Sequence, residues 1–136
     1  MCFPSPEYSS PAKTSKPLFS FENGARKTYT EFSKVLPDHM SSSELKGRLE
    51  SDNPPLLIDV RGSDERSEVK IEADDMHIPM DVFTQKVDEI PKHGNVVLYC
   101  HLGIRSNAAR AWMESQGIPI SHLNGGIEDW LFETGF

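Results

Sequence analysis

Cysteine is scarce in this 136-residue chain: there are two, Cys2 and Cys100, at unrelated positions. Neither a disulfide framework nor a paired thiolate metal spacing follows from them, and a reducing compartment, the cytoplasm, suits them best. His39, His77, His93, His101 and His122 are scattered without ligand spacing, so no metal is expected, and no motif asks for a cofactor. Long hydrophobic runs are missing too. No stretch approaches the roughly 18 apolar residues of a membrane span, and no charged start followed by an apolar core marks a secretory signal. A basic surplus is equally absent, the net charge being -7. Residues 1–36 hold five Lys/Arg against three Asp/Glu, and residues 37–136 nine against eighteen. The acidic part offers no basic stripe, which excludes nucleic acid as an expected partner.

The length exceeds what one small α/β core needs, so a tail is expected beside a single domain. Residues 1–36 supply it: Pro4, Pro6, Pro11 and Pro17 stand among serines, threonines and lysines. Such a segment buries too little apolar area to offset its ordering entropy and reads as flexible. Few acids and many hydroxyls would also suit an organelle transit peptide, but a single arginine and the prolines oppose it.

One stretch organises residues 37–136. Val96-Val97-Leu98-Tyr99 is a β-branched and apolar run that stops at Cys100, passes through His101-Leu102-Gly103-Ile104-Arg105, and opens behind Ser106 into the alanine-rich Asn107-Ala108-Ala109-Arg110-Ala111-Trp112. Strand, loop and helix follow in that order. A cysteine at such a turn lies near the free N–H groups and positive dipole end of the helix, which favour the thiolate, the reactive form. The competing reading is an inert buried cysteine that only packs; the glycine, the arginine and the helix-opening serine weigh against it.

At these residues the chain resembles the single-domain rhodanese-like sulfurtransferases. The loop from Cys100 to Ser106 is similar to that family's persulfide-forming loop, with a cysteine, a glycine, then an arginine and a serine. Three more segments match in order: Leu56-Leu57-Ile58-Asp59-Val60-Arg61, His77-Ile78-Pro79-Met80, and Leu123-Asn124-Gly125-Gly126-Ile127-Glu128-Asp129-Trp130. The resemblance implies a rhodanese-like fold, an about five-stranded, mainly parallel sheet with helices on both faces. It also implies transfer of a sulfane sulfur, from thiosulfate or a persulfide to a thiol or cyanide, through a Cys100 persulfide. The loop residues His101, Leu102, Gly103, Ile104, Arg105 and Ser106, with Arg61, would receive the substrate, and Asp59 would support the loop. The implied partners are a small-molecule sulfur donor and a thiol acceptor, which a protein could also supply. Related phosphatases and arsenate reductases place five residues between cysteine and arginine, whereas four separate Cys100 from Arg105, which favours sulfur over phosphate chemistry.

Several roles stay open in the residues themselves. Arg105 either holds an anionic donor or locks the loop through an internal ion pair. His101 is either a proton carrier or a lining residue. Asp59 is either a buried structural ion pair or an orienter of the Cys100 loop, and Arg61 is similarly divided between scaffold and anion contact. A rhodanese-like binding or sulfur-relay module acting on a protein is the competing function.

The remaining elements read as follows. Ser41-Ser42-Ser43-Glu44 is a capping box opening a short helix with Leu45 and Leu49 on one face. Met80 to Ile90 carries Val82, Phe83, Val87 and Ile90 at helical spacing. Ser106 is expected to cap the next helix, with Ala108, Ala111 and Trp112 on one helical face and Trp112 in the core. Ile118–Leu123 is a last strand, Gly125-Gly126 a tight turn, and Ile127, Trp130 and Leu131 the apolar face of a final helix. Residues Ser63 to Asp75 show no clear period, and Glu65 and Arg66 read as a solvated face. There the chain departs from the family pattern, having Val69-Lys70-Ile71-Glu72-Ala73-Asp74-Asp75 in place of Gly-His-Ile-x-Gly-Ala.

Overall fold

The computed structural model describes residues 36–135; the tail expected over residues 1–36 lies, apart from Leu36, outside the described residues. In chain order the elements are His39–Met40 (β1), Ser42–Leu49 (α1), Leu56–Asp59 (β2), Ser63–Glu68 (α2), Asp75–His77 (β3), a 3-10 helix Met80–Glu89, Val96–Tyr99 (β4), Ile104–Ser115 (α3), Ser121–Leu123 (β5) and Gly126–Thr134 (α4). The strands form one five-stranded sheet in the order β1-β5-β4-β2-β3. Every pairing is parallel.

Central strands of such a sheet are buried on both faces, and β4 is buried at all four positions. Its alternation divides the core. Val96 and Leu98 join Ile58, Phe83, Ala109 and Met113 on one side, under α3 and the 3-10 helix. Val97 and Tyr99 join Leu57, Leu45 and Ile127 on the other, under α1 and α4. Helices therefore cover both faces, as the alternating pattern implies.

The strand order also fixes where a ligand can enter. From β2 the chain steps outward to β3, then returns past β2 to β4 on its other side. A crevice opens at the carboxyl ends of strands where the order reverses in this way. Asp59 and Tyr99 stand side by side in register there, so Val60-Arg61 and Cys100-His101 leave the sheet together.

Four expectations change. Met80–Glu89 is a 3-10 helix, whose three-residue turns suffice to bury Phe83 and Ile90. The helix α3 begins at Ile104 with Gly103 as its cap, so Ser106 is not the cap. Its buried side chains are Ser106, Ala109, Arg110 and Met113; Ala108 and Ala111 are exposed, and Trp112 packs edge-on against Phe83 at 6.2 Å between ring centroids. The aperiodic Ser63–Asp75 stretch contains α2 and leads into β3.

Candidate active site

Gly103 starts the site. Its φ of 101° lies where side chains are disfavoured, and it turns the chain from β4 into α3. The turn brings the Gly103 N–H to 3.1 Å and the Ser106 N–H to 3.3 Å from Cys100 Sγ. These are helix-start donors without intrahelical partners, and they suit an anion. Burial alone pushes the Cys100 thiol up, but the Ser106 hydroxyl and the N–H groups of Ser106, Gly103 and Arg105 outweigh it, so the thiol ionises below its ordinary range.

Ser106 has been freed from capping for another task. Its fully buried hydroxyl lies 3.6 Å from Cys100 Sγ, 3.3 Å from the Gly103 carbonyl and 2.9 Å from His122 Nδ1. His122 comes from β5, and the pairing of β1 with β5 sets His39 opposite it. Its Nε2 is 2.8 Å from His39 Nδ1. Burial, then the neighbouring His39 and Arg110, brings the His122 pKa down to about 4 against the pull of Asp38. His122 is therefore a neutral imidazole at physiological pH.

The arginines are engaged. Arg61, 2% exposed, grips Asp59 with Nε and Nη2, each at 2.9 Å, and donates to the Val69 carbonyl at 2.7 Å. The scaffold reading of Arg61 and the ion-pair reading of Asp59 are the ones these contacts contain. Of the two roles open to Arg105, the geometry holds the internal ion pair: Nη1 and Nη2 reach the two Glu65 carboxylate oxygens at 2.8 and 2.7 Å. Such a two-pronged pair fixes orientation as well as charge. Glu65 is thus a loop anchor rather than part of a solvated face, and so is its neighbour Arg66, which bridges Asp59 at 3.3 Å and Asp75 at 2.9 Å. His101 is exposed and pairs with Glu128 at 2.7 Å.

The Gly125-Gly126 turn clamps the loop from behind. The first turn of α4 donates from Ile127 N–H to the Cys100 carbonyl at 2.9 Å and from Glu128 N–H to that of His101 at 3.1 Å. A side chain at Gly126 would stand 2.2 Å from the His101 carbonyl oxygen. Only glycine permits that approach.

The parallel sheet that carries this loop has counterparts among known proteins. The family model for the rhodanese-like domain matches residues 41–133. The chain belongs to that family. A sulfurtransferase of Allochromatium vinosum is 35% identical to this rhodanese-like chain over 94 residues, covering 68% of it and 87% of the relative. The crystal structure of a rhodanese-like domain protein from Staphylococcus aureus superposes with a TM-score of 0.64 at 26% identity, covering 69% of this chain and 91% of that one. A rhodanese-related protein from Thermoplasma volcanium shares the fold, with a TM-score of 0.65, 22% identity, and coverage of 72% and 94%.

Three residues of the rhodanese-like site escape a reading of the sequence. Glu65 lies 40 positions from the Arg105 it holds, inside a stretch without periodicity. His122 and His39 lie 83 apart and meet only through strand pairing. The one sequence signal for His122 is a polar side chain inside the strand before Leu123, where an apolar one would pack without a partner.

Proposed function

We propose that Cys100 carries a sulfane sulfur as a persulfide, taking it from a persulfide or thiosulfate donor and passing it to a thiol or cyanide. The observation that carries this reading is the cradle itself, two N–H groups at 3.1 and 3.3 Å from Sγ in a helix-start loop. In the first half-reaction the Cys100 thiolate attacks the outer donor sulfur, the donor's sulfur–sulfur bond breaks, and sulfite or a thiolate leaves. In the second, the acceptor attacks the outer sulfur of the persulfide and the Cys100 thiolate departs. The cradle serves both as the seat of the negative charge and as a guard against its loss. His101, Leu102, Gly103, Ile104, Arg105 and Ser106 form the receiving loop, and a reducing compartment such as the cytoplasm keeps Cys100 available.

Donor choice follows from charge. A thiosulfate dianion has to displace Glu65 from Arg105, and Arg61 is committed to Asp59. A persulfide donor needs no such exchange and is the better fit. Sulfur handed to cyanide, read as thiocyanate, tests the reading: turnover with a low-molecular-weight persulfide exceeding that with thiosulfate, and loss of both in Cys100→Ser, are expected. Equal turnover in Cys100→Ser removes the proposal.

One observation favours a binding module as the second reading. A groove of about 730 Å³ lies beside the loop. Leu102 and Phe132 line it, 52% and 77% exposed, with the carboxylates of Glu68 and Glu128. Apolar side chains exposed together mark contact surfaces more often than scattered ones do. Partner capture that survives Cys100→Ser but is lost in Phe132→Glu would establish docking without sulfur chemistry; capture lost in Cys100→Ser alone would point to a mixed-disulfide or persulfide relay.

A further inference from the structure

The Cys100 thiol is 1% exposed, and the groups behind it form a hydrogen-bonded file leading away from the donor side. Sγ meets Ser106 Oγ at 3.6 Å, Ser106 Oγ meets His122 Nδ1 at 2.9 Å, and His122 Nε2 meets His39 Nδ1 at 2.8 Å. Ser106 and His122 are 0% and 2% exposed, whereas His39 is exposed. The file thus joins a buried ionisable thiol to solvent through groups that both donate and accept. We propose that Ser106, His122 and His39 are a proton relay, which carries the thiol proton to the surface and leaves a line of donors behind the thiolate.

The proton count closes. In the thiol state Sγ–H donates to Ser106 Oγ, Ser106 O–H to His122 Nδ1, and His122 Nε2–H to His39 Nδ1. On ionisation each of these protons moves to its acceptor, and the proton on His39 Nε2 leaves to solvent. The file then runs the other way: His39 Nδ1–H donates to His122 Nε2, His122 Nδ1–H to Ser106, and Ser106 O–H to the sulfur anion. No electrons are exchanged. His122 changes tautomer and stays neutral, which suits a buried ring that ionises only in acid. The titratable and charged groups facing it are His39, Asp38 and Arg110, with Arg110 itself paired to Glu114 at 2.9 Å. Those near the thiol, Arg105, Glu65 and Asp59, are held in the ion pairs described above. His122 touches no reacting atom and acts through Ser106, as a positioning residue. The inference rests on the reading of Cys100 as the reactive group but needs no sulfur donor to be tested.

The test is the tautomer of His122 in the resting, ¹⁵N-labelled chain with Cys2→Ser, read by long-range proton–nitrogen correlation across about pH 5 to 9. The expected result is a switch from the Nε2–H to the Nδ1–H form with the same midpoint as Cys100 alkylation, absent in Cys100→Ser. One fixed tautomer, protonation of the ring within that range, or a switch that persists in Cys100→Ser overturns the relay. In a second measurement His122→Leu is expected to raise the alkylation midpoint so that the rate at pH 7 falls about three- to tenfold, half to one pKa unit, with the limiting rate at high pH unchanged. His122→Asn, which keeps a donor to Ser106, is expected to recover part of that rate. An unmoved midpoint in His122→Leu counts against the relay. Persulfide loading of the wild type is scored separately, so a failure of the sulfur-transfer reading is not mistaken for a failure here.

Discussion

Glu65 carries more of the loop's position than its place near the surface suggests. The Arg105 guanidinium holds its carboxyl down to about 2 from 4.5. A carboxylate whose folded pKa is depressed stabilises the fold above its unfolded value and loses that contribution as pH falls through the folded one. The pair is more than a third exposed on both sides, at 40% and 36%, so Glu65→Gln should cost about 1 kcal/mol or less at neutral pH. It should also remove part of the acid-induced fall in thermal midpoint between about pH 4.5 and 2. His122 acts in a different window. Its unfolded form binds a proton below 6.5 and its folded form only below about 4, so stability declines as pH drops from 6.5 to 4. Denaturation of His122→Leu across that range should show a flatter profile; an unchanged slope would mean that the ring is not held neutral. Asp59 is the costliest of these positions. Asp59→Ala leaves a 2% exposed guanidinium without its carboxylate, a loss of about 3–5 kcal/mol in urea denaturation.

The closing helix serves the loop as well as the core. Gly126→Ala would drive a methyl group to within 2.2 Å of the His101 carbonyl oxygen, and α4 cannot keep both its clamp on Cys100 and the burial of its Ile127 in the core. A loss of about 3 kcal/mol or more, with Cys100 reactivity moving back toward that of an ordinary thiol, is expected; an alanine variant with wild-type stability and reactivity would show that the clamp is dispensable. Elements differ in how plainly they read from the chain. The β4–loop–α3 unit is legible because apolar run, glycine and alanine-rich pattern change at sharp points. The segment α2 has six residues and none buried, and β3 has three. No periodicity develops over such lengths. They are held by single charged side chains rather than by an apolar face, Arg66 on Asp75 and Arg61 on the Val69 carbonyl. The loop that departs from the family pattern is pinned in the same way, with Ile71 N–H donating to the Tyr99 hydroxyl at 3.3 Å. Ser106 misleads for a related reason: serine before a helix usually caps it, but Gly103 had already turned the chain.

Across the whole molecule, the parallel sheet makes one edge chemical. Its order brings the ends of β2 and β4 together, and its outer pairing brings β1 to β5, so Cys100 receives support from both directions. Architecture of this kind was readable from the strand–helix alternation. Which side chains meet across 40 or 83 positions was not, because pairing register rather than local pattern decides it. No helix among the described residues is long and apolar enough to cross a membrane. The central claim, that Cys100 carries sulfur, is tested most directly by the intact mass of the reduced protein after exposure to a low-molecular-weight persulfide, with Cys100→Ser treated alongside. The account predicts a gain of one sulfur atom per chain that cyanide removes as thiocyanate and that Cys100→Ser does not show; the same gain in Cys100→Ser, or no gain in the wild type with either persulfide or thiosulfate, would contradict it.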